Sequence, residues 1–94
     1  FAVMRKIYEE ELNLNDALLK LRELPKTNGV VLIKGDSLDF TGYFNEDGML
    51  GSELKYSDKV YNNAEALAEL FKVKSEKVKI AIYELPIHDI KFNF

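Results

Sequence analysis

Residues 30–56 read VVLIKGDSLDFTGYFNEDGMLGSELKY, and this stretch decides the fold. Val30-Val31-Leu32-Ile33 is too short for a helix and rich in β-branched residues, which are stiff at χ1 and pack well on a pleated surface. It reads as a well-buried strand. Lys34-Gly35-Asp36-Ser37 has turn composition. Leu38, Phe40 and Phe44 then alternate with Asp39, Thr41 and Tyr43 at the period of two that marks a half-buried strand. Asn45-Glu46-Asp47-Gly48 suits a type I turn closed by a left-handed glycine. From Met49 to Tyr56 a third strand follows, with Leu50, Leu54 and Tyr56 on one face and Gly51, Glu53 and Lys55 on the other. The three strands make an antiparallel meander.

Upstream, Lys26-Thr27-Asn28-Gly29 is turn chemistry, with Gly29 free to take positive φ. Before it, Leu14, Ala17, Leu18 and Leu21 recur at helical spacing, with Asn13 or Asn15 as N-cap and Asp16 in the first turn. Pro25 stops this helix near Leu24, because proline disfavours the α conformation in the residue before it. In residues 1–12, Val3, Met4, Ile7 and Tyr8 also fall at helical spacing, while Phe1, Val3 and Ile7 would suit one face of a strand; the reading favours a helix. Downstream, Ser57-Asp58-Lys59 forms a polar link. A second helix follows, with Asn62 and Glu65 as a capping box and an apolar stripe of Ala64, Leu67, Ala68, Leu70 and Phe71. A last strand places Val78, Ile80 and Ile82 on one face and Lys77, Lys79 and Tyr83 on the other, and Pro86 ends it.

The expectation is an α+β fold: one small domain over residues 1–94, with a three-stranded antiparallel meander, a further C-terminal strand, and two or three helices packed on one face. At 94 residues there is material for one core. The chain opens at Phe1 and stops within the alternation Ile90, Phe92, Phe94, so it is expected to be a fragment of a longer protein.

Composition narrows the function. Hydrophobic residues make up 47% and charged residues 31%, a globular balance. The net charge is −3, with Lys72, Lys74, Lys77 and Lys79 answered by Glu65, Glu69, Glu76 and Glu84. Nucleic acid and anionic membrane surfaces need clustered basic residues, so neither is an expected partner. Cysteine is absent, which removes disulfides, thiolate nucleophiles and the usual structural zinc sites. No apolar run approaches the roughly 20 residues that cross a bilayer. A cytoplasmic protein is expected.

A search for chemistry finds little. His88 is the sole histidine, without a second imidazole or thiolate to share a metal; an enzyme pairing it with a carboxylate is a minor alternative. Asp36, Asp39, Glu46 and Asp47 lack the ligand series of a calcium loop and are explained by turns. Gly29, Gly35 and Gly48 read as turn residues. Gly42 and Gly51, inside strands, read as a bulge or strong twist, or as two glycines facing each other across the second hairpin in a flat open patch. Neither catalytic residues, nor a metal site, nor a cofactor is expected.

Aromatic residues remain. Tyrosines at 8, 43, 56, 61 and 83 and phenylalanines at 92 and 94 exceed what one small core needs. Tyr43 and Tyr83 fall on the polar faces of their strands, where an aromatic is either a cross-strand shelter for the outer face or an interface anchor. Tyr43, Tyr56, Tyr61 and Tyr83 are the candidate partner-binding residues.

The order of motifs also resembles a known family. A leucine-rich helix with Asn15-Asp16-Ala17-Leu18-Leu19 is followed by the strand TNGVVLIKG, by GYFNEDGML with its glycine, aromatic strand and Asp-Gly turn, by the helix AEALAELF and by the closing strand VKIAIYEL. From Leu14 to Leu85 this resembles the PATAN type of domain, the N-terminal domain type of PatA-like response regulators, and a related group of archaeal proteins of unknown function. The resemblance implies a signalling-adaptor or protein-protein interaction role as one module of a larger protein, with no catalytic residues. The segment Tyr56 to Asn63 is longer than in the bacterial pattern and carries Tyr61, which favours the archaeal relatives. A roadblock-like domain, which works by dimerisation, is a structural neighbour without a deciding motif here.

The reading is therefore a non-catalytic interaction or regulatory module that binds a protein partner or itself as a homodimer. The alternative is a small-molecule sensor, with an apolar pocket between the sheet and the second helix near Gly42 and Gly51.

Overall fold

Every strand pair in the computed structural model, which describes residues 4–85, is antiparallel. Six strands form one sheet: β1 (Arg5–Asn13), β2 (Gly29–Gly35), β3 (Leu38–Asn45), β4 (Gly48–Tyr56), β5 (Lys59–Asn62) and β6 (Lys77–Glu84), in the spatial order β1-β6-β2-β3-β4-β5. Two helices, α1 (Leu14–Lys20) and α2 (Asn63–Leu70), contribute Leu14, Ala17, Ala66 and Leu70 to a core shared with Val31, Ile33, Phe40, Leu54 and Ile80 of the sheet. Both helices thus lie on one face. The α+β class holds. The expected three-stranded meander with one further strand becomes a sheet of six, and no helix precedes α1 among the described residues.

The first correction concerns the chain's start, where residues 5–13 form β1 and not a helix. Tyr8 and Leu12 point to the helix-covered face opposite Ile82 and Val78, and a bulge between Lys6 and Tyr8 displaces Ile7. That irregularity spoils the period of two, leaving apolar residues at helix-like intervals. Glu9-Glu10-Glu11 adds helix propensity, which pairing with β6 overrides.

The second correction is β5. Ser57 and Asp58 both take positive φ, 54° and 62°, so they are the centre of a two-residue hairpin between Tyr56 and its partner Lys59. What read as a polar link and the approach to a helix is a tight turn and an edge strand. Asn62 precedes α2 but makes no side-chain cap bond. Asn63, the first residue of α2, bonds to the sheet: its Oδ1 accepts from Ser52 N–H at 3.2 Å, and its carbonyl accepts from Ser52 Oγ at 3.1 Å. This joins the start of α2 to β4 and satisfies Ser52, the one buried polar residue among those described. The helix consequently turns Ala66 and Leu70 inward, with Leu67 half-buried, while Ala64, Ala68 and Phe71 are exposed.

The third correction is register. Tyr43 pairs with Gly51 but Phe44 pairs with Met49, so Leu50 is the extra residue of a bulge. Met49 packs against the core and Leu50 is 67% exposed, reversing the expected facing. Beyond it, Leu54 and Tyr56 face inward as expected.

The remaining elements follow their sequence signals. The Asn45 side chain accepts from Asp47 N–H at 2.8 Å, and Gly48 has φ +125°. The first helix ends as a 3-10 turn over Leu21–Glu23, with Leu24 extended before Pro25. Gly29 differs in reason: it lies within β2, where a Cβ would collide with the Tyr83 carbonyl oxygen and the Phe44 ring.

Candidate functional site

Antiparallel partners share a face, so the register places the residues of the face that carries no helix. One row across it runs Lys6, Tyr83, Val30, Tyr43, Gly51. The next runs Glu9, Ala81, Leu32, Thr41, Glu53, Asn62, and a third runs Glu11, Lys79, Lys34, Asp39, Lys55, Val60. Val30, Leu32 and Ala81 make an apolar centre, Tyr83 and Tyr43 flank Val30 on either side, and charges of both signs stand around them.

Cross-strand neighbours explain the burial at this centre. Among the described residues no helix covers Val30 and Ala81, yet they are only 7% and 5% exposed, while Tyr43 is 52% exposed. Tyr43 and Tyr83 on the adjacent strands shield Val30, Glu9 and Leu32 stand on either side of Ala81, and Tyr43 itself takes the solvent. Lys6 Nζ lies 5.8 Å from the centre of the Tyr83 ring and 3.1 Å from Glu9. Hydrogen bonding and charge attraction from Glu9 raise the Lys6 pKa above the ordinary lysine value, and the row ends in this cation.

The four tyrosines expected to bind a partner divide between the two faces. Tyr43 and Tyr83 both lie on the open face, on either side of β2. Tyr56 and Tyr61 lie on the helix-covered side, partly buried against the core. Tyr8 is also on that side, where its hydroxyl donates to Glu10, which raises the phenol pKa, and where Lys20 Nζ stands 5.4 Å from its ring. His88, Phe92 and Phe94 lie outside the described residues.

Gly42 and Gly51 do not face each other. Gly42 pairs with Ser52 on the covered face and Gly51 with Tyr43 on the open one. The space over Gly42 is taken up by Met49 and Val31, whose atoms would stand 2.7 and 3.1 Å from a Cβ there. An apolar pocket at that place is filled by the protein's own side chains. A larger concavity, open to solvent, lies at the β4-β5 hairpin among Ser37, Lys55, Asp58 and Lys59. Among the described residues, no three His, Cys, Asp or Glu side chains are grouped to hold a metal ion, and no helix is long and apolar enough to cross a membrane.

Val30, Leu32 and Ala81 were legible only indirectly. The run Val30 to Ile33 is apolar on both faces, which an antiparallel strand with one solvated face does not require. A two-sided apolar strand therefore signals a second surface to cover. No family model, curated protein or solved structure matches the chain.

Proposed function

We infer that this chain is a non-catalytic protein-protein interaction or regulatory module, and that the face centred on Val30 is its contact surface. The observation that carries this reading is the pairing of an apolar centre and two flanking tyrosines on a sheet face that carries no helix among the described residues. Interfaces have this composition: aromatic anchors at the middle and charged residues at the rim. The rim mixes Lys6, Lys34 and Lys79 with Glu9, Asp39 and Glu53, so it favours a protein surface of mixed charge over a polyanion. The resemblance to the PATAN type points to the same class of role, an adaptor within a longer chain.

The test is the double substitution Tyr43→Ser with Tyr83→Ser. Loss of two interface anchors weakens partner capture at least about tenfold. The melting temperature checks that the sheet is intact, since Tyr43 is largely solvated. A folded variant that retains the partner as well as the wild type would overturn the assignment of this face.

A further inference from the structure

The two edges of the sheet are built differently. β5 spans four residues and has α2 beside it, whereas β1 spans nine, and eight of its residues pair with β6 while its other side has no neighbour in the sheet among the described residues. A long open edge is a template for another strand. Natural edges are commonly guarded by a bulge and by charge, and β1 has both, at Ile7 and in Arg5, Lys6, Glu9, Glu10 and Glu11. Here the guards are arranged by sign: the cations precede the bulge and the carboxylates follow it.

We propose that β1 pairs antiparallel with β1 of a second copy of this chain, about a two-fold axis passing between Ile7 and Tyr8, so that two six-stranded sheets become one. In this register Arg5 meets the second copy's Glu10, Lys6 meets its Glu9, and Ile7 meets its Tyr8. All of these contacts occur twice, as an isologous interface requires. Charge complementarity specifies the occupant, because β1 is complementary to itself read backwards.

The bulge makes the register possible. In a regular strand, residues 5 and 10 point to opposite faces. The displacement of Ile7 changes the phase, so Arg5 and Glu10 both lie on the helix-covered face, opposite Glu84 and Ile80 in β6. Lys6 and Glu9 both lie on the open face, opposite Tyr83 and Ala81. The existing Lys6–Glu9 pair at 3.1 Å would join its symmetry mate in a square of alternating charge. Registers slid towards the carboxylates set Glu9 against Glu9 or Glu10 against Glu10 and are disfavoured by repulsion. Exposed Ile7, which is 39% accessible, would be covered near the axis.

This inference concerns the sheet edge rather than the partner of the open face, with Lys6 and Glu9 shared by the two, and self-association is the readout that distinguishes them. Two charge variants test it by sedimentation equilibrium, each checked for folding by circular dichroism. Arg5→Glu with Lys6→Glu makes the edge wholly acidic, and Glu9→Lys with Glu10→Lys makes it basic. Like charges across four contacts weaken each variant's self-association about a hundredfold relative to wild type, while an equimolar mixture recovers a dimer. Raising the salt loosens the wild-type dimer through screening. The single substitution Tyr43→Ser, three strands away from β1, leaves it intact, which separates this edge from the face. Wild type that stays monomeric across the concentration series, variants that dimerise as wild type does, or folded variants whose mixture fails to associate would each overturn the proposal.

Discussion

At the scale of single residues, Gly29 shows why a correct residue type can carry the wrong reason. As the last residue of Thr27-Asn28-Gly29 it suits a turn with positive φ, and turn composition does precede β2. Gly48 is, however, the only described glycine with positive φ. Gly29 is instead the point where β2, β6 and the Phe44 ring converge, with no room for a methyl group. Gly29→Ala is therefore expected to destabilise the fold by about 1 to 3 kcal/mol through overpacking, read from denaturant midpoints at unchanged slope. A neutral substitution would contradict the close approach. Ser52 and Asn63 were invisible for a related reason. Their bonds cross from a strand to a helix start 11 residues on, and no local pattern announces such a partnership.

At the scale of elements, β2, β3 and β6 were legible because their burial alternates cleanly or their apolar run is short and β-branched. β1 and β4 were not read fully, since each contains a bulge and one extra residue reverses the facing of everything on one side of it. β5 was missed because two left-handed residues, Ser57 and Asp58, lack the glycine that normally marks such a hairpin. The bulge in β4 gives a contrast between two leucines four residues apart. Leu50→Lys changes stability by less than about 0.5 kcal/mol, as a surface substitution does, whereas Leu54→Ala opens a cavity and costs about 2 to 5 kcal/mol. Equal costs in thermal or denaturant melts would mean that Leu50 faces the core after all.

At the scale of the whole molecule, sequence reasoning found the class of fold and two of the residues that define the open face. Tyr43 and Tyr83 stood out because aromatics on polar strand faces need a reason. Tyr56 and Tyr61 were grouped with them as surplus aromatics, Tyr61 also for its longer segment, and the strand pairing places both on the other face. What no single strand could show was convergence: Val30, Leu32 and Ala81 form a patch only once β6 lies beside β2, a pairing between segments some fifty residues apart in the chain. The same pairing places β1 at the sheet's edge, where its segregated charges acquire a consequence. One side of the sheet is filled by helices and its own core, and the other offers tyrosines around a shielded apolar centre and a charged rim. The most direct measurement of that division puts a photo-crosslinking amino acid at position 43 on the open face, and separately at exposed Phe71 beyond α2. The expected result is a covalent adduct with a protein partner from position 43 and none from position 71. Adducts from position 71 alone, or equally from both, would contradict it.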